Sequence, residues 1–240
     1  MKLFDSVFQR VKGGYFGILT ALSGTLTISI SAILYLFAEP FTIFSRYISN
    51  LGAPFTPLGF STNGSNLVFT LGLIITGFFA FLFFIFLYRF LKQGLKKNKW
   101  IMPISHFLAL TSVLGLWIVA IFDYQTNIIG HAVGATMFFF GGFLTVLTFG
   151  VTILLNSEIS KNQFIAGLIV AVAFFMFILN LMPHAMNPES NIVFILQSMD
   201  PEIAMVRFWE WMILLTLLFW FFEMGLYTLY YEKKVNLENQ

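Results

Sequence analysis

Residues 122–142 read FDYQTNIIGHAVGATMFFFGG. The stretch closes one long apolar segment at Asp123, crosses a short polar turn and opens another apolar segment at His131. Its second half sets His131, Gly134, Ala135, Phe138, Gly141 and Gly142 at spacings of three and four, which is the repeat of one α-helix face. Gly130 and Gly134 form a GxxxG pair, a spacing that lets two helices approach closely in lipid. Apolar helix, polar turn and apolar helix together make a hairpin long enough to cross a membrane twice.

The same pattern repeats along the chain. Apolar runs with few or no charges occupy about 15–38, 67–90, 100–122, 131–155, 164–182 and 204–231, each long enough for a ~30 Å hydrocarbon core at ~1.5 Å per residue. Of the 240 residues, 58% are hydrophobic, only 10% are charged and 32 are Phe. A soluble core of this size cannot cover that much apolar surface, so lipid is the solvent for most of it. The expectation is an all-α integral membrane protein: a six-transmembrane-helix bundle forming one domain over residues 1–240, since lipid-exposed backbone must satisfy its own hydrogen bonds. Lys2, Arg10 and Lys12 precede the first run, but that run is too long for a signal-peptide core and is read as a helix.

Orientation follows from the cations. Eleven of the 13 Lys and Arg residues fall in the N-terminal segment, at the second and fourth connections and in the C-terminal tail, against Arg46 and Arg207 on the other side. The positive-inside rule then puts both termini in the cytoplasm. A net charge of +2 offers no case for nucleic acid, and the absence of cysteine removes disulfides, thiolate metal sites and Cys nucleophiles.

The outer side carries the chemistry. In its first connection, residues 41–51 have the pattern of a short interfacial amphipathic helix stopped by Gly52 and Pro54. In its last, NIVFILQSM at 191–199 is too short to span and is expected at the interface or folded onto the bundle. Counting ~1.5 Å per residue from each segment's midpoint puts Asp123, His131 and His184 roughly 16–18 Å above the mid-plane and Glu210 about 12 Å above. Ser49 and Asn50 reach the same layer. Ionisable residues on buried faces at membrane depth are functional candidates. On the inner half, His106 and Glu223 share a depth of roughly 8 Å below the mid-plane, which predicts their contact, a protonated Glu223, or a Glu223 reaching inward beside Lys233.

Around ISNLG at 48–52, the start of the second apolar run from Asn66 to Gly77, and the 122–142 stretch, the chain resembles a prokaryotic family of six-helix membrane proteins known only as a domain of unknown function, DUF nine-nine-eight. It is also distantly similar to the Frag/DRAM/Sfk group, whose members are linked to lipid and GPI-anchor handling. The resemblance implies six helices and a place in a prokaryotic plasma membrane, and it carries over no catalytic residue.

Three functions fit the outer layer. One is an accessory subunit of a larger membrane assembly, with other membrane subunits as partners. Another is binding of a membrane lipid headgroup through Ser49, Asn50, Asn66, Asp123, His131 and Arg207, the usual design of an apolar pocket with a few converging polar groups. These two non-catalytic readings lead. The alternative is a metal-dependent lipid hydrolase, with Asp123, His131 and His184 holding a zinc ion and Glu210 as a further ligand or general base.

Overall fold

The computed structural model describes residues 2–95, 98–185 and 201–238. Among these residues seven helices follow in order: α1 (Lys2–Arg10), α2 (Gly14–Leu36), α3 (Ser65–Gln93), α4 (Ile101–Ile121), α5 (Ile128–Leu155), α6 (Asn162–Ala185) and α7 (Ala204–Glu238), with short 3-10 turns at Ile48–Gly52 and Pro201–Ile203. Among the described residues the only extended pairing is a single bridge between Phe55 and Ser61. Six of the helices, α2 to α7, are long and apolar enough to cross a membrane, the pattern of a multi-pass membrane protein. The expected segment 191–199 lies outside the described residues.

Their outward faces support that reading. Leu19, Leu22, Leu26, Ile30 and Ile33 repeat along α2 at three- and four-residue intervals and are 38–60% exposed. A contiguous apolar stripe of this length marks contact with lipid or protein rather than water. The opposite stripe of α2, comprising Gly17, Thr20, Gly24, Thr27 and Ser31, is buried throughout, as small residues at helix contacts in lipid should be.

Each spanning helix packs against its chain neighbours, and α7 closes on α2. The result is a ring of six. The closure depends on backbone-to-backbone approach: a Cβ on Gly14 would sit 2.5 Å from the Gly225 carbonyl, and one on Gly225 2.7 Å from the Gly14 carbonyl. The α4–α5 hairpin is equally tight, because a Cβ on Gly115 would meet the Phe138 nitrogen at 2.5 Å and the Gly134 carbonyl at 2.6 Å.

A ring of six helices at interaxial distances of ~8–10 Å leaves space along its axis. In the half nearest the chain termini, rings fill it. Phe84 stacks on Phe149 with centroids 6.0 Å apart and meets Phe221 at 5.4 Å, while Trp220 packs on Phe221 at 5.3 Å. Helix α1 folds against this end through Phe4, Val7 and Phe8, with the Arg89 guanidinium 5.3 Å above the Phe8 ring. At the other end the axis is closed by the connection between α2 and α3.

That connection differs from the interfacial helix expected over 41–51. Only Ile48–Gly52 is helical, and residues 46–51 are buried rather than lying on a surface. Two local features redirect the chain. The Thr42 N–H donates to Ser45 Oγ (2.7 Å) and the Ser45 N–H to the Thr42 carbonyl (3.0 Å), which makes a turn in place of the helix start. Arg46 and Glu39 then form an ion pair, with side chains 3% and 5% exposed, that draws the following residues inward.

Candidate functional site

A buried loop must find partners for its backbone polar groups, and the sequence supplies them locally and from α7. Asn50 Oδ1 accepts the Tyr47 N–H at 2.8 Å and so caps the 3-10 turn. Thr62 Oγ1 donates to the Ala53 carbonyl (2.9 Å), and Ser65 Oγ bridges the carbonyls of Ser31 (2.9 Å) and Leu51 (2.8 Å). Three residues of α7 at positions i, i+3 and i+4 share one face and hold the loop. Arg207 Nη1 donates to the Phe44 carbonyl at 2.7 Å, Glu210 Oε2 accepts the Ile48 N–H at 2.8 Å, and Trp211 Nε1 donates to the Arg46 carbonyl at 3.0 Å. Phe44 stacks on Phe208 at 5.3 Å and Phe41 on Trp211 at 6.1 Å, sealing the same contact with apolar area.

Beneath this roof lies a cavity of about 70 Å³ between α2, α3, α4, α5 and α7. Its walls are apolar apart from Ser49, His131 and Glu210. Ser49 is 8% exposed, and its Oγ is buried with no hydrogen-bond partner among the described residues. His131 is 5% exposed, and its Nδ1 lies 2.9 Å from the Phe122 carbonyl. A carbonyl can only accept, so Nδ1 carries the proton and Nε2 is the acceptor of the neutral ring. Tyr124 stands edge-on to His131 at 6.0 Å, and its hydroxyl accepts from Asn50 Nδ2 at 2.8 Å. Burial raises the Tyr124 phenol above its ordinary range, so it stays protonated. Burial likewise pushes the Tyr47 hydroxyl up.

The expected site residues divide. Ser49, Asn50, His131, Arg207 and Glu210 do come together around the loop. Arg207 and Glu210 serve its backbone, however, and Glu210 stands as an acceptor for a peptide N–H. Asp123 is occupied by its own turn: Oδ1 accepts the N–H groups of Gln125 (2.9 Å) and Thr126 (3.0 Å), and Oδ2 accepts from Thr126 Oγ1 (2.5 Å). Together with Asn127, whose Oδ1 caps α5 at the Gly130 N–H (2.9 Å), it shapes the α4–α5 turn. Asn66 is half-buried in the first turn of α3 and does not line the cavity. His184 is half-buried in the last turn of α6. Among the described residues no three of His, Asp and Glu gather as a metal-holding group, so the Asp123–His131–His184 set is not assembled.

No family model, curated protein or solved structure matches the chain. The site is therefore read from its geometry.

The inner pair expected between His106 and Glu223 does not form. Glu223 Oε1 accepts from Gln163 Nε2 on α6 at 2.7 Å, while the His106 ring packs on Tyr88 at 4.9 Å between centroids. Depth placed them together, but α4 packs on α3 and α5 whereas α7 packs on α2 and α6, so equal depth falls on different parts of the ring. Residues of this loop end that the sequence does not single out as site residues include Glu39, Trp211 and Tyr124. The available signal was Glu39 and Arg46, two opposite charges seven positions apart flanking an apolar stretch.

Proposed function

We propose that this multi-pass membrane protein binds a lipid-derived amphiphile in the cavity beneath residues 46–53, on the outer side of a prokaryotic plasma membrane. One observation carries the reading. A buried Ser49 hydroxyl with no partner among the described residues shares with His131 and Glu210 a cavity whose other walls are apolar, and an unmet polar group in such a place costs about 1–3 kcal/mol unless something bonds to it. A pocket that is apolar with few polar groups suits an amphiphile. Binding is preferred to metal-dependent hydrolysis because Asp123 is engaged in its own turn and, among the described residues, no three of His, Asp and Glu gather as a metal-holding group. The outer placement is supported by the eleven-to-two distribution of cations.

Mass spectrometry of lipid retained by protein purified in mild detergent tests the binding. The expected result is one species enriched over the bulk extract and lost on His131→Ala; identical profiles for the two proteins would overturn the reading. Orientation has its own test, because the chain has no native cysteine. A membrane-impermeant maleimide added to intact cells should label Ser61→Cys and not Lys99→Cys.

A further inference from the structure

An open cleft of about 390 Å³ lies at the end of the ring nearest the chain termini, between α1, α3 and α7. It shares no lining residue with the cavity beneath residues 46–53. Its volume falls in the ~300–1,000 Å³ range of small-molecule sites.

Chain position sets its depth. Arg89 and Gln93 stand near the end of α3, and Glu232 stands near Lys234, where the membrane-crossing part of α7 ends. The apolar runs stop here, and Lys92, Lys233 and Lys234 follow or intersperse them. The cleft is thus at the level where hydrocarbon gives way to headgroups, in the setting of basic pockets that hold lipid phosphates.

Its walls are of two kinds. Four rings form a continuous apolar face: Phe8 and Phe86 are 5.8 Å apart between centroids, Phe86 and Phe90 5.8 Å, and Phe90 and Tyr231 5.3 Å. The Tyr231 hydroxyl donates to Glu158 Oε2 at 3.2 Å, so Tyr231 gives the cleft its ring. The polar wall is Arg89, Gln93 and Glu232. The Arg89 guanidinium, held over the Phe8 ring, carries a planar fork of N–H donors that matches a phosphate. An ionised Glu232 does the reverse, since a carboxylate only accepts. Lys12 attracts Glu232 electrostatically, but two carboxylate oxygens have room for more than one donor.

One cation, one carboxylate and an apolar face at headgroup depth match a zwitterionic lipid whose positive end carries N–H groups. The same set discriminates between headgroups. Phosphatidylglycerol brings a net negative charge and no cation to Glu232. Phosphatidylcholine brings a cation with no N–H to donate, and so forgoes the charge-assisted hydrogen bonds that an ammonium makes to a carboxylate.

We infer that the cleft binds phosphatidylethanolamine from the leaflet at the chain-terminal end, with its phosphodiester on Arg89, its ammonium on Glu232 and the Gln93 carbonyl, and its glycerol against the four rings. By the distribution of cations that leaflet is the cytoplasmic one. This site is separate from the one proposed beneath residues 46–53 and does not depend on it.

The test uses full-length protein purified in mild detergent, titrated with dioctanoyl phospholipids and read by native mass spectrometry. Phosphatidylethanolamine should bind about tenfold more tightly than phosphatidylcholine or phosphatidylglycerol. Glu232→Gln should abolish that preference, because the amide has no charge to offer the ammonium. Arg89→Gln should weaken all three lipids about tenfold, and Glu232→Gln carries the test alone if Arg89→Gln does not fold. Soluble phosphoethanolamine in large excess should leave the lipid bound, since it lacks the part that rests on the rings. Equal affinity for the three lipids, a preference that survives Glu232→Gln, or displacement by the headgroup alone would overturn the inference. His131→Ala should leave this preference unchanged, and Glu232→Gln should not release the species that His131→Ala releases, so the two sites stand or fall separately.

Discussion

The two ends of the ring close the same axial space by opposite means. Near the chain termini the filling is side chains: Phe84, Phe149, Trp220 and Phe221 interlock. Polar groups there cap helix ends locally. Lys161 Nζ donates to the carbonyls of Ile153 (2.9 Å), Leu154 (2.8 Å) and Asn156 (2.7 Å) at the end of α5, and Asn156 Nδ2 to the Leu91 carbonyl (2.9 Å). At the loop end the filling is backbone, and a backbone plug imports peptide groups that must be answered by buried polar side chains. Aromatic rings fill the axis there, although Gln163 Oε1 and Glu223 Oε2 beside them stay buried with no hydrogen-bond partner among the described residues. A loop held at discrete hydrogen bonds cannot follow every contour, so a cavity remains beneath it with the Ser49 hydroxyl unmet.

If this contrast is right, both ends matter for stability but only the loop end matters for the axial ligand. Arg46→Ala removes one partner of a buried ion pair and should cost about 3–5 kcal/mol, read as a fall in the unfolding midpoint with loss of bound lipid. Replacing both partners, Glu39→Leu with Arg46→Met, should recover much of that stability. At the opposite end, Phe149→Ala opens a void beside Phe84 and should cost a similar ~3–5 kcal/mol, with bound lipid per folded protein unchanged. Loss of lipid there would break the contrast.

Glu210→Ala leaves the Ile48 N–H unmet and should cost about 1–3 kcal/mol. Faster hydrogen exchange at Ile48 is the signature of the released roof, and unchanged exchange would show that Glu210 is not its clamp. Asp123→Ala loses the turn bonds to Gln125 and Thr126 and should cost about 1 kcal/mol, whereas Asp123→Asn keeps an acceptor and should be close to neutral. A large loss of bound lipid in Asp123→Asn would return this carboxylate to the site. The one substitution with no stability loss is Ser49→Ala, which breaks no bond and removes a buried hydroxyl that costs about 1–3 kcal/mol while unbonded, so the unliganded protein should be as stable or more stable, although ligand binding should fall. That separation of stability from binding is the sharpest form of the comparison.

Much of the frame was legible from hydropathy and period. The apolar runs at 67–90, 131–155 and 164–182 correspond to α3, α4's successor α5, and α6 at Ser65–Gln93, Ile128–Leu155 and Asn162–Ala185, because the requirement for lipid-compatible backbone is written into every twenty-residue window. The buried faces were readable for the same reason. His131, Gly134, Gly141 and Gly142 repeat at helical spacing and are buried. The site was legible as a set of candidates, and Ser49, Asn50, His131, Arg207 and Glu210 do meet. Their roles were not legible. Asp123 and His131 are close in sequence, yet each is tied to the turn between them rather than to a shared ligand. His106 and Glu223, equal in depth, lie on helices that are not neighbours.

The amino-acid sequence by itself determined six apolar helices, their small-residue faces and the asymmetry of charge, since each is set by residues within a few turns of one another. The tertiary structure decided that the ring closes through Gly14 and Gly225, that residues 46–51 turn inward, and that Glu210 answers the Ile48 N–H from 162 positions away. Those outcomes depend on which polar groups a closed ring traps away from water and on which side chains then lie within reach of them. Composition and periodicity do not encode that geometry.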